Sequence, residues 1–187
     1  MTENRVKKLV LISLFAALTC VATMIIRIPS PTGGYINTGD TIVLLSAFIL
    51  GPIWGAISAA VGSAMADIFS GYPVYAAATF IIKGLMALVA GVIYRNIKTI
   101  NRIVPTLIAG IIAEAIMVLG YLLFTATVLG FGAGAIVEVP GNLAQGVFGL
   151  AAGTILNIAL CKVPYVEALA TGTSQKSHIY DEPHDTE

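Results

Sequence analysis

Lys83 and Glu114 each lie in the middle of a long apolar run, where an ionised side chain is hardest to place. A charge at the centre of a bilayer costs at least about 2.5 kcal/mol, so each requires a partner or a wet cavity. Two arrangements meet that requirement. In one, the two residues compensate each other as a structural ion pair between neighbouring helices. In the other, both face a pocket, Lys83 donating to a ligand oxygen and Glu114 accepting from a ligand hydroxyl or amine. The second is favoured by their company: Asn37, Asp40, Asp67, Tyr121, Asn142 and Gln145 supply hydrogen-bonding groups that an ion pair alone would not need.

Each of these residues also has a plainer reading. Asp40 at a helix start would serve as an N-cap, satisfying free amides. Asp67 near a helix end would snorkel to the surface. Asn142 and Gln145 are three apart and share a face, which aims two amides at one point or makes them interhelical glue. Tyr72 and Tyr75 belong by default to an interfacial aromatic belt.

The elements that must position these groups follow from composition. The chain has 187 residues, 57% hydrophobic and only 11% charged, with a mean hydropathy of +0.91. That is an integral membrane protein in a lipid bilayer, and its length suits one compact bundle. The formal net charge is zero, which gives no footprint for nucleic acid. Arg5, Lys7 and Lys8 precede an apolar run that is too long for a signal-peptide core, so the run is read as a retained first helix.

Helix one covers about Leu9 to Ile28 and is closed by Pro29 and Pro31. Residues 30–40 are rich in turn formers and read as a loop. Gly51-Pro52 divides the next apolar stretch into a short helix two, about Thr41 to Leu50, and helix three, about Ile53 to Phe69. Helix four runs from about Val74 to Tyr94, helix five from about Val104 to Leu129, a glycine-rich loop opens at Gly130–Gly134, and helix six runs from after Pro140 to near Cys161. Residues 1–163 thus form a six-helix transmembrane domain, and residues 164–187 a polar, disordered cytoplasmic tail.

Six helices place Arg5, Lys7, Lys8, Arg95, Lys98, Arg102, Lys162 and Lys176 on one side, eight of the ten basic residues. Basic residues beside spans stay cytoplasmic, so both termini are assigned there. Arg27 and Lys83 are the two that anchoring does not explain. A rise of about 1.5 Å per residue then puts Asp40, Asp67, Glu138, Asn142, Gln145 and Tyr121 in the outer half, with Lys83 and Glu114 about 15 Å deep.

Small residues recur on helix three at Gly55, Ala59 and Ser63, with Gly62 and Ala66 beside them, and on helix six at Gly149 and Gly153. Such stripes let helices pack closely. On helix one, Ser13, Ala16, Ala17 and Cys20 offer a comparable surface. Cys20 and Cys161 have no neighbouring metal or redox spacing. No phosphate loop, HExxH or GxSxG is present, and His178 and His184 lie in the tail. The chain is therefore not read as an enzyme, and no metal or cofactor is expected.

The strings Tyr35-Ile-Asn-Thr-Gly-Asp40, Leu50-Gly-Pro52, Gly62-Ser-Ala-Met-Ala-Asp67, Ser70-Gly-Tyr72, Ile82-Lys-Gly84, Gly120-Tyr121 and Pro140-Gly-Asn142-Leu-Ala-Gln145 occur in that order. Together they resemble the S-components, the substrate-binding subunits of energy-coupling factor (ECF) vitamin transporters. The resemblance is to the riboflavin-type family with its hydroxymethylpyrimidine- and pyridoxine-assigned members. It implies a multi-pass protein of the bacterial cytoplasmic membrane that captures a vitamin at its outer face, under a lid made by the loop between helices one and two. It also implies a membrane-embedded T-component and two cytoplasmic ATPase subunits as partners, which would supply the missing nucleotide motif. The family's AxxxA contact motif has its nearest matches in Ser13-xxx-Ala17 and Ala16-xxx-Cys20. Trp54, the single tryptophan, sits beside the cytoplasmic turn and cannot stack on a ligand at the outer face. A small pyrimidine or pyridine precursor is therefore favoured over the larger flavin. A self-sufficient ion-coupled transporter, with Lys83, Glu114 and Asp67 relaying protons, is the competing reading.

Overall fold

Proline and glycine cut the apolar sequence into helices at the places where a backbone N–H is missing or φ turns positive. In the computed structural model, which describes residues 3–97, 99 and 101–171, the order is α1 (Glu3–Ile25), β1 (Arg27–Pro29), β2 (Tyr35–Asn37), α2 (Asp40–Leu50), α3 (Pro52–Phe69), α4 (Pro73–Asn96), α5 (Ile103–Thr127), a 3-10 helix (Gly132–Glu138), α6 (Val139–Leu160) and α7 (Pro164–Thr171). Lys98 and the tail from residue 172, with Lys176, His178 and His184 and its expected disorder, lie outside the described residues.

α2 to α6 depart from the sequence-based boundaries by at most two residues at either end. The break between α2 and α3 is made by Gly51, at φ 82°, followed by Pro52 in the first turn of α3. A side chain at Gly51 would be strained by that φ and would displace the Arg95 guanidinium. Three expectations are corrected. α1 stops at Ile25, ahead of the prolines, because residues 27–29 pair antiparallel with residues 35–37 in a hairpin where a loop was expected. The glycine-rich stretch after α5 winds into the 3-10 helix that leads into α6. The beginning of the tail is helical as α7, held by Val166 and Leu169 against Phe15, Leu45 and Ile49.

Among the described residues, five helices are long and apolar enough to cross a membrane. α2 is the exception. Its 11 residues extend about 16 Å, half a bilayer's hydrocarbon, and nine of them are buried. The other helices wrap it, with Val43, Leu44, Ala47 and Phe48 fully enclosed against Met86, Ala87, Ala113 and Met117. The small-residue stripes do serve internal packing. Gly55 lies against the α2 backbone at Ala47, Gly62 against the carbonyl of Ala16 in α1, and Gly149 and Gly153 against Asp40 and Leu44 of α2. Outside, the helices present leucine, isoleucine, valine and phenylalanine, whereas Thr19, Ser46, Ser58, Thr106 and Asn157 are inside. A surface this apolar around a partly polar interior is what a lipid solvent selects.

Candidate ligand-binding site

Three helices each bring a column of polar residues to the hairpin end of the bundle. On α4 the column is Tyr75, Thr79 and Lys83, spaced four apart on one face. On α5 it is Glu114 and Tyr121, seven apart. The 3-10 helix and α6 contribute Glu138, Asn142 and Gln145, with α6 gaining its register from Pro140 in its first turn. Asp67 joins them from the last turn of α3, and the hairpin closes over the top with Ser30, Tyr35 and Asn37.

These groups line a pocket partly open to solvent, and its empty space of about 420 Å³ takes in some of that solvent. Its lid is held by named bonds. The Tyr35 hydroxyl donates to Asp67 Oδ1 at 2.6 Å, the Asn37 backbone N–H donates to Gln145 Oε1 at 2.7 Å, and the Tyr75 hydroxyl donates to the Thr32 carbonyl at 3.3 Å. Burial, and then the hydrogen bond to Asp67, push the Tyr35 phenol well above the ordinary tyrosine range, so it remains a donor. Tyr35 also packs against Tyr72, ring centroids 4.6 Å apart and the planes tilted by 45°.

Behind the wall lies the charged centre. Lys83 is paired with Asp40, and the Gln145 amide donates to the other Asp40 oxygen at 2.6 Å. Gln145 therefore links the lid strand, the cavity wall and the buried ion pair. The Lys83 ammonium also lies 5.4 Å from the centre of the Tyr121 ring. Glu114 stands against Gly146 and Gly149 of α6, and neither of its oxygens has a hydrogen-bond partner among the described residues.

Of the residues singled out from sequence, Asn37, Asp67, Tyr121, Asn142 and Gln145 line the cavity, while Asp40, Lys83 and Glu114 sit behind it. The Lys83–Glu114 ion pair, weighed as the alternative to a shared pocket, does not form: Lys83 pairs with Asp40, because the first residue of α2 points its carboxylate into the bundle. Asp40 is accordingly not an N-cap: Gly39 holds that position and no side chain caps the helix. Asp67 does not snorkel, being 4% exposed and bonded to Tyr35. Tyr75 is no belt residue either, since it is buried beside Phe124 under the hairpin. Ser30, Tyr35, Tyr75, Thr79 and Glu138 were missing from the sequence-derived set. Stepping outward from Lys83 by four residues would have found Thr79 and Tyr75.

On α1, Ser13 and Ala17 face outward, whereas Ala16 and Cys20 are half-buried on the side toward α3. The basic residues Arg5, Lys8, Arg95, Arg102 and Lys162 fall at the end away from the hairpin, and Lys8 lies over the Trp54 ring at 4.6 Å.

An apolar helical bundle with a polar cavity sealed beneath by a buried ion pair and covered by a hairpin is a membrane-embedded solute-binding protein. The family model described as the S component of the ECF-type riboflavin transporter matches residues 3–162, and the chain belongs to that family. It is thus a multi-pass transport protein of the cell membrane and not an enzyme. A protein of Pyrococcus woesei described as an uncharacterized protein in the gap 3′ region is 36% identical over 143 residues, 76% of this chain and 93% of that one. A solved structure described as the S component of a bacterial ECF transporter is similar, with a TM-score of 0.66 and 26% identity over 84% of this chain and 97% of that chain.

Proposed function

We propose that this chain captures a small water-soluble vitamin or vitamin precursor, hydroxymethylpyrimidine or pyridoxine in preference to riboflavin. It would deliver the cargo through a T-component and a pair of ATPases. The cavity under the hairpin carries the reading: it combines a tyrosine-rich wall with the amides of Asn142 and Gln145, a set suited to a hydroxyl-bearing heteroaromatic ring. In this reading the hairpin end faces outward and the basic end faces the cytoplasm, with both termini there. The outward faces of Ser13 and Ala17 on α1, with Ala16 and Cys20 beside them, would be the surface that meets the T-component.

Gln145 is the residue through which occupancy would reach the lid. It touches the cavity, accepts from the β2 backbone and donates to Asp40, so a bound ring that fixes its amide also fixes the hairpin. The test is mass spectrometry of small molecules that co-purify with the detergent-extracted protein. A stoichiometric pyrimidine or pyridine supports the proposal, and a yellow flavin-loaded protein would move the substrate to riboflavin. Proton-driven uptake by the isolated protein in liposomes would instead establish the ion-coupled transporter.

A further inference from the structure

Two carboxylates reach the cavity wall, Asp67 and Glu138, and no lysine, arginine or histidine among the described residues does. The nearest ammonium, Lys83, is committed to Asp40 behind Gln145. The two carboxylates are not equivalent. Glu138 accepts from Thr125 at 2.9 Å and from Ser30 at 3.5 Å, so both oxygens are engaged. Asp67 accepts from Tyr35 through Oδ1, but its Oδ2 is buried without a hydrogen-bond partner among the described residues. A buried carboxylate oxygen left without a donor bears its full desolvation cost, which a donor from the ligand would relieve. The Tyr121 hydroxyl makes its hydrogen bond with Thr79 at 2.9 Å and none with Asp67.

We propose that the cavity selects a planar heteroaromatic ring carrying an amino or ammonium nitrogen, which donates to Asp67 Oδ2, and that it rejects phosphorylated forms of the same ring. The inference rests on the vitamin-capture reading and narrows it. A donor nitrogen meets the acceptor that lacks one, and if protonated it makes a charge-assisted bond. A phosphate ester would bring further negative charge into a cavity with two carboxylates and no base, where like charges are poorly screened. The Asn142 amide, which bonds to no other described side chain, is left to receive a hydroxyl on the ring.

Isothermal titration of the purified full chain in detergent tests this with 4-amino-5-hydroxymethyl-2-methylpyrimidine, its 4-oxo analogue, its phosphate ester, pyridoxine and riboflavin. The amine is expected to bind about tenfold or more tighter than the oxo analogue, and the ester not measurably. Asp67→Asn should bring the amine-to-oxo ratio close to unity, whereas Asn157→Leu, outside the cavity, should leave it standing. Equal binding of amine and oxo forms, or tight binding of the ester, overturns the proposal. Both of those comparisons use the unaltered protein and so remain decisive even where Asp67→Asn fails to fold. If pyridoxine or riboflavin binds and no pyrimidine does, the narrowing falls and vitamin capture survives. If none of the five binds, both fall.

Discussion

The two ends of the bundle each bury a polar cluster, and only one of them is complete. At the basic end Asn157, fully buried, donates to the Tyr94 hydroxyl at 3.2 Å and to Thr106 at 3.1 Å. Arg102 reaches Tyr94 and pairs with Glu167 of α7 at 2.7 Å. At the hairpin end, Asp67 Oδ2 lacks a partner among the described residues, Asn142 bonds to no described side chain, and a cavity separates the groups. Buried polar groups are normally satisfied, so the closed network reads as structure and the open one as a site.

Several substitutions would break or sharpen that contrast. The largest effect is expected from Lys83→Met, which leaves Asp40 as an uncompensated buried charge. A loss of about 3–5 kcal/mol in unfolding free energy, with loss of ligand binding, should appear in denaturation and titration experiments. Asn157→Leu should cost about 1–3 kcal/mol by removing the amide that donates to both Tyr94 and Thr106, but leave affinity unchanged. Tyr35→Phe removes the bond between hairpin and Asp67 while keeping the ring on Tyr72. Faster ligand dissociation, by about tenfold, is expected in stopped-flow measurements. The smallest effect belongs to Glu167→Ala, whose half-exposed pair with Arg102 should contribute under about 1 kcal/mol to thermal stability.

Much of this architecture is written in local signals. Gly51-Pro52, Pro73 and Pro140 set helix boundaries that depend on backbone chemistry alone, and they are readable from sequence. The site is half legible. Lys83, Asp40, Asp67, Asn142 and Gln145 stand out because polar groups in apolar runs demand an explanation. Tyr75 and Thr79 do not, since tyrosine and threonine are unremarkable near a membrane surface, and only the register with Lys83 reveals them. Which acid pairs with Lys83 is not legible at all. That choice depends on how α2 is enclosed, a tertiary fact that no spacing encodes. The hairpin is hidden for a related reason: three-residue strands carry too little periodicity to distinguish from a turn-rich loop.

The most direct test of the hairpin-end site is a side-by-side titration of 4-amino-5-hydroxymethyl-2-methylpyrimidine into Gln145→Leu and Asn157→Leu, each compared with the unaltered protein. Binding should vanish in the first, where the wall loses its link to both the Asn37 backbone and Asp40, and persist unchanged in the second. Retained binding in Gln145→Leu together with loss in Asn157→Leu would place the site at the basic end and contradict the assignment.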